Sequence, residues 1–390
     1  MQLDTSFSPN FLGAEWPLLL EACSFPPDSA TISKLFSRLS DPESLFALAE
    51  EHGVLAQLAK AIEVDQRAAK HRAFCELLLA RRRTQLVSAM VLTAELVRFL
   101  EILVQAQVAT VVVKGPVLAF RTYGDSSARA YSDVDFVVRH ADIERAAASA
   151  IAAGYDSRVP LEAMRRQKVP GQYRFVRPPA RVLIELHTER TLRYFPRPMP
   201  IEEFFQRKTI AIIDGHSIPA LSPEDEFVLI SIHGAKHFWE RLMWISDIAA
   251  MVHNHPLLDW ERVHRSSADI GAQRMVNVAL LLAERLLRVA VPASMERVVA
   301  ADSAAAHLVT KIESWLPYAR QAPLHVLGRA KFRFQMHGQF FAGAAYLSRL
   351  SFSTTEEDWD PTKKAGGPRF TEFLRRPFRL AKRYRGERNR

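Results

Sequence analysis

The stretch VVVKGPVLAFRTYGDSSARAYSDVDFVV, residues 111–138, decides how this chain is read. Residues 108–113, VATVVV, are short, uncharged and β-branched, which predicts a buried strand. Lys114-Gly115 breaks that strand, and Pro116 suits the first turn of a short helix over 116–123. Residues 124–132 are polar and turn-like, and DVDFVV at 133–138 predicts a second strand. Side chains alternate along a strand, so Asp133 and Asp135 share one face while Val134 turns to the core. Two carboxylates about 4 Å apart repel by about 4 kcal/mol at an effective dielectric near 20. A pair kept on a rigid strand therefore calls for a cation or a proton. Mg²⁺ ions that also bind substrate phosphates use such pairs.

The pattern extends downstream. ADIERAAASAIAAGY predicts a helix with Asp142 near its start and Gly154 at its end. QYRFV (172–176) and RVLIELH (181–187) predict strands joined by a Pro178-Pro179 turn. In the second of these, Val182, Ile184 and Leu186 form one face, and Arg181, Leu183, Glu185 and His187 the other. Glu185 thus becomes a third carboxylate on the same sheet, and three acids on two strands can hold two divalent ions. His187 is read either as a substrate contact or as a partly buried, hydrogen-bonded histidine. TIAII (209–213), Asp214-Gly215 and HSIPAL predict a tight hairpin.

On either side the periodicity is helical. Residues 1–107 carry helix-spaced apolar positions, including Leu45, Leu48, Val54, Leu55 and Leu58. From about 65 to 107 an amphipathic run places Leu77, Leu78, Leu79, Leu86, Val87, Met90, Leu96, Phe99 and Leu100 on a buried face, as one long helix or two abutting ones. After Leu221, Ser222 as cap, Pro223 at the first position and three acids announce a helix. Helices follow to about 287 and again over 302–349. The expected class is α+β, a small mixed sheet between helical regions. The expected organisation is an N-terminal helical region at 1–107, a core at 108–220, a C-terminal helical region at 221–350, and a linker and basic tail at 351–390.

The chain has 390 residues and a formal net charge of +9. Residues 369–390 hold nine of the basic and two of the acidic side chains, so the rest of the chain carries only +2. A near-neutral body argues against a nucleic-acid polymerase, which needs a basic groove. The tail is read either as a solvated end or as a contact for an anionic surface. Two cysteines, Cys23 and Cys75, make no disulfide framework. With a mean hydropathy of -0.07, no long apolar run and no leader-like start, the expected location is the cytoplasm.

Two further groups have competing readings. Arg129 contacts phosphate, pairs with Asp125, or lies on the surface. His233, His237 and Arg241, spaced i, i+4, i+8, would share a helix face beside Lys236. A zinc protease would need His-Glu-x-x-His, whereas Gly234, Ala235 and Lys236 stand between these histidines. That leaves a cationic face aimed at phosphates, or plain packing with Trp239 and Trp244 in the core and Asp247 pairing a base.

The 111–138 segment resembles the signature of DNA polymerase β-like nucleotidyltransferases of an uncharacterised bacterial type: a strand ending in Lys-Gly, a helix ending in Tyr, an Arg, then Ser-Asp-aliphatic-Asp. IELHTE, LSPEDEFVLISIHGAKHFWERLMWISDIAAMV, STTEEDW and RRPFRL are similar to later parts of that family. The resemblance implies transfer of a nucleoside monophosphate from an NTP, ATP among them, to an acceptor, with Mg²⁺ and release of pyrophosphate. It implies Asp133, Asp135 and Glu185 as catalytic metal ligands, with Glu185 also placed to accept the acceptor's proton. Lys114, Gly115 and Ser132 would meet the triphosphate, with Arg129, Lys236 and His237 as further nucleotide contacts. Gly115-Pro116 replaces the usual Gly-Gly or Gly-Ser turn, and the third acid is Glu rather than Asp. The acceptor would be a small molecule, peptide or protein. The competing classes are a catalytically inactive nucleotide- or partner-binding member, and a peripheral membrane or assembly factor acting through the tail.

Overall fold

The computed structural model of the chain describes residues 13–63, 71–165, 171–178, 182–188, 195, 201–321 and 326–352. The linker and tail expected after residue 352 lie outside the described residues, as do Pro179 and Arg181.

Helices α1 (Glu15–Ala22), α2 (Ser29–Ser37), α3 (Pro42–His52), α4 (Leu55–Glu63) and α5 (Arg72–Gln105) come first. The run then alternates: β1 (Thr110–Val113), α6 (Gly115–Tyr123), β2 (Asp133–Val138), α7 (Ile143–Ala152), β3 (Asp156–Ser157), α8 (Leu161–Arg165), β4 (Gln172–Arg177), β5 (Val182–His187), α9 (Ile201–Arg207), β6 (Thr209–Ile213) and β7 (His216–Ala220). Helices α10 (Pro223–Lys236), α11 (Leu242–Asn254), α12 (Trp260–Asp269), α13 (Gln273–Leu287), α14 (Ala293–Ala300), α15 (Ser303–Trp315), α16 (Val326–Gln335) and α17 (Phe340–Phe352) follow. The expected α+β class holds.

The sheet is mixed and has seven strands in the order β3-β4-β5-β2-β1-β7-β6. Its centre is β1 antiparallel to β2 and β2 parallel to β5, so the two acid-bearing strands are immediate neighbours. The central strands are buried on both faces, which is why β1 is an unbroken valine run. Asp214 and Gly215 take positive φ of 50° and 81°, the conformation a two-residue hairpin demands, and close β6 onto β7. Ser222 caps α10 by accepting the Asp225 N–H, with Pro223 in the first turn.

Two apolar cores flank the sheet. One joins Val111, Val113 and Val137 to both the N-terminal helices and α10–α15, through Leu18, Phe36, Trp239, Ile248 and Leu280. The other packs Leu96, Phe99 and Leu103 of α5 and Ala146 and Ala150 of α7 on Val112, Val134, Phe136 and Ile184. Helix α5 is one helix of 34 residues, about 51 Å long. It reaches past the sheet it packs on. Leu78, Leu96, Phe99 and Leu100 are buried as expected, but Leu77, Leu79, Leu86, Val87 and Met90 are exposed. Periodicity showed an apolar helix but not which of its apolar positions the other described residues cover.

Candidate active site

The first wall of the site is the turn between β1 and α6. Lys114 (φ 58°, ψ -143°) and Gly115 (φ 50°) both take left-handed backbone. A Cβ on Gly115 would meet only the Asp133 carbonyl at 3.5 Å, so glycine is needed for its φ rather than for space. For Lys114 the same conformation costs about 1–3 kcal/mol. It turns the ammonium back to the neighbouring strand, where Nζ lies 3.5 Å from Asp135 Oδ2. The turn thus sets the amino end of α6 beside the start of β2.

The second wall is the β2–β5 pair. Its register places Asp133 opposite Leu183, Asp135 opposite Glu185, and Val137 opposite His187. Paired residues on adjacent strands project to the same face. Asp135, Glu185 and His187 are 5%, 6% and 6% exposed, and Asp133 is half-buried. His187 Nε2 lies 2.6 Å from Asp135 Oδ1 and 3.4 Å from Glu185 Oε2. Glu185 is steadied from β4, where Arg174 Nε donates to Oε1 over 3.1 Å and Gln172 Nε2 donates to Oε2.

The carboxyls are not equivalent. Burial and the Asp135 charge raise the Asp133 pKa, opposed by Lys114. Burial also pushes Glu185 upward, but the hydrogen bond and charge of His187, with Arg174, bring it net below its usual value. The cluster holds one acid that is costly to ionise and one that is kept ionised by its partners.

Residues 39–288 match the sequence profile of a family described as an uncharacterised nucleotidyltransferase. The chain belongs to that nucleotidyltransferase family. Among solved structures, it is similar to an antigenic nucleotidyltransferase-like protein from Paracoccidioides brasiliensis, at 15% identity over 54% of this chain and 94% of that one, with a TM-score of 0.30. No curated protein matches the chain.

In this nucleotidyltransferase, the residues expected to act together are only partly gathered. Lys114, Gly115, Asp133, Asp135 and Glu185 meet at the head of the β1–β2–β5 sheet. Ser132 is exposed just before it. Arg129 is neither on the surface nor paired with Asp125. It is buried, its Nε donates to Asp247 Oδ2 over 2.8 Å, and Asp125 pairs with Arg82 instead. The Tyr123 hydroxyl donates to Asp247 Oδ1 over 3.0 Å. The packing reading of Asp247 therefore holds, and Arg129 positions the approach to β2.

Of the expected helix face of His233, His237 and Arg241, the two histidines stay together and Arg241 is lost to the next helix. Helix α10 ends at Lys236, and Phe238 and Trp239 reverse the chain with φ of 59° and 53°. Trp239 folds back over Gly234, where a Cβ would fall 2.4 Å from its ring. Arg241 becomes the residue that opens α11. The rings of His233 and His237 lie 4.6 Å apart, tilted by 52°, and both pack on Trp244. Burial and the Lys236 and Lys114 charges push His237 down to about 3, so it is neutral near pH 7. Lys236 is the remaining cation of the proposed phosphate face.

His187 is buried and hydrogen-bonded to Asp135, as one of its two sequence readings held, and it also stands next to Glu185. The signal for this was present: two residues after Glu185, it must share that carboxylate's face. The donor atoms of Asp135, Glu185 and His187 all lie within 4.8 Å of one another, and Asp133 stands outside this group. Two buried carboxylates and an imidazole at this spacing fit a divalent cation. Beside the approach to β2, a cavity of about 590 Å³ is lined by Glu50, Arg81, Thr84, Ser88, Arg129 and Tyr131, among others. No helix among the described residues is long and apolar enough to cross a membrane.

Proposed function

We propose that this nucleotidyltransferase moves a nucleoside monophosphate from an NTP to an acceptor hydroxyl or similar nucleophile, releasing pyrophosphate, with a divalent ion such as Mg²⁺. The observation that carries the reading is the register that sets Glu185 beside Asp135, two residues from Asp133 and next to the Lys114–Gly115 turn. Asp133, Asp135 and Glu185 are the residues that would hold the ion, with His187 at the same place. The bound ion supplies charge neutralisation to the transferring phosphoryl group and its leaving group.

The remaining roles fall to the chain itself. The amino end of α6, which has no side-chain cap, and the Lys114 ammonium favour an anion, so the triphosphate is assigned to the Lys114–Gly115 turn. Ser132, exposed at the mouth, offers a hydroxyl to the same phosphates, and Lys236 adds charge from α10. Glu185, kept ionised by its partners, can take the acceptor's proton as the new bond forms. We assign the acceptor to the 590 Å³ cavity, whose Arg129–Tyr131 wall lies two residues before Asp133 in the chain. Its mix of hydroxyls and charges suits a polar small molecule or a peptide side chain.

Incubation with each α-labelled NTP, Mg²⁺ and fractionated small-molecule and peptide acceptors tests the reading. Label should pass to an acceptor with equimolar pyrophosphate. Release of pyrophosphate from no NTP with any acceptor fraction would sink it.

A further inference from the structure

We infer that His187 is a direct ligand of the site's divalent ion, together with Asp135 and Glu185, and that its imidazole nitrogen makes the site select a transition-metal ion of the Mn²⁺ class over Mg²⁺. This rests on the metal-dependent reading above.

The donor spacing is the first reason. Ligands about 2.1 Å from a common octahedral ion lie about 3 Å apart at neighbouring positions. The separations here, a 2.6 Å hydrogen bond between His187 Nε2 and Asp135 Oδ1 and 3.4 Å from Nε2 to Glu185 Oε2, lie on either side of that distance, so a small shift of the imidazole opens the three donors around one ion. All three residues are buried, and two adjacent parallel strands fix their positions.

The second reason is that Glu185 is already oriented from behind. Gln172 and Arg174 donate to its two oxygens from β4, in the manner of outer partners that aim a metal-bound carboxylate. Lys114 reaches the other oxygen of Asp135, Oδ2, and so leaves Oδ1 to the histidine side.

The third reason is chemical. Mg²⁺ takes oxygen ligands and sheds water reluctantly, whereas imidazole suits first-row transition ions. A site of two carboxylates and one imidazole should therefore discriminate. Mn²⁺ accepts such a mixed set and keeps positions open for phosphate oxygens. A histidine that merely hydrogen-bonds Asp135 would make no such distinction, because it would help every ion equally.

The test uses the full chain and the ions alone. Calorimetry should show Mn²⁺ binding at least tenfold tighter than Mg²⁺, and pulsed electron paramagnetic resonance should show ¹⁴N coupling to the bound Mn²⁺. His187→Gln should abolish the coupling and weaken Mn²⁺ at least tenfold while Mg²⁺ changes by less than about threefold. If that variant does not fold, Asp135→Asn serves instead: the nitrogen coupling should vanish with it, placing the nitrogen at this site. Absence of Mn²⁺ binding, bound Mn²⁺ without ¹⁴N coupling, or equal losses for both ions in His187→Gln would each overturn the inference. The labelled-NTP assay with Mg²⁺ separates the two readings. Transfer without nitrogen coupling removes only this inference, and nitrogen-ligated Mn²⁺ without transfer from any NTP removes only the proposed activity.

Discussion

Arg129 and Asp247, 118 residues apart in the chain, form a buried ion pair of 2.8 Å that ties the approach to β2 to helix α11. Tyr123 at the end of α6 joins it through the same carboxylate. Helix α6 and the start of β2, which flank the Lys114–Gly115 turn and the Asp133–Asp135 pair, are thus fastened to one helix of the C-terminal region.

This pair should matter more when half of it is removed than when both halves are. Arg129→Met leaves a buried carboxylate without its charged partner and should cost about 3–5 kcal/mol. Arg129→Met with Asp247→Leu should recover part of that loss. Urea unfolding of the three proteins checks both statements, and a loss below about 1 kcal/mol for the single variant would show that the pair is not a stabilising tie.

Asp133 should be destabilising in the metal-free protein. Its folded pKa is raised by burial and by Asp135, so the unfolded chain releases this proton first as pH rises. The folded state is penalised above the unfolded pKa near 3.9. Asp133→Asn should therefore raise the unfolding temperature at pH 7 in chelator, give no gain near pH 3, and lower NTP turnover by about 10²-fold or more, as loss of several kcal/mol of transition-state stabilisation requires. A variant that is less stable at pH 7 would refute the repulsion argument.

Mild acid should destabilise the fold through buried neutral histidines. Burial, with the Arg241 charge, pushes His52 down to about 4, and its Nδ1 accepts the Leu242 N–H over 3.1 Å. Burial likewise pushes His337 down to about 4. A folded pKa below the unfolded value near 6.5 means that the unfolded state binds more protons between the two. The stability these groups contribute is present above pH 6.5 and is lost as pH falls towards 4. Thermal melts from pH 7 to 4 should show the decline, and His52→Gln should make it shallower even if that variant starts from a lower midpoint.

Filling the cavity should separate acceptor from nucleotide. Ser88 lies on the α5 wall of the 590 Å³ space, away from the Lys114–Gly115 turn. Ser88→Trp should raise the acceptor KM at least tenfold while NTP affinity, read by calorimetry, changes by less than about twofold. Equal loss of both would place the nucleotide, not the acceptor, in that cavity.

Much of the sheet was legible because its signals are local. The valine run of β1, the Asp133–Val138 strand, the Asp214-Gly215 turn and the Ser222 cap each depend on residues within a few positions of one another. The α10 face lost Arg241 for an equally local reason that composition hides. Two non-glycine residues, Phe238 and Trp239, take left-handed backbone, because Trp239 gains a place over Gly234 that a straight helix would deny it. The middle of α5 failed because amphipathicity shows which side of a helix is apolar, not which of its positions the other described residues cover.

By itself the sequence determined which residues can carry the chemistry: alternation along two strands put Asp133 with Asp135 and Glu185 with His187 on common faces. Only the tertiary structure decided how those pairs meet. Parallel pairing of β2 and β5 has a register, set by the packing of Val134, Phe136, Ile184 and Leu186 in one core, and that register brings Asp135 level with Glu185 and His187 within reach of both. A shift of one residue would have turned the whole row to the opposite face. Packing of α11 in the other core sets Asp247 where it receives Arg129. Burial of a charge is settled by what long-range partner is there to receive it, and no local spacing encodes a partner 118 residues away.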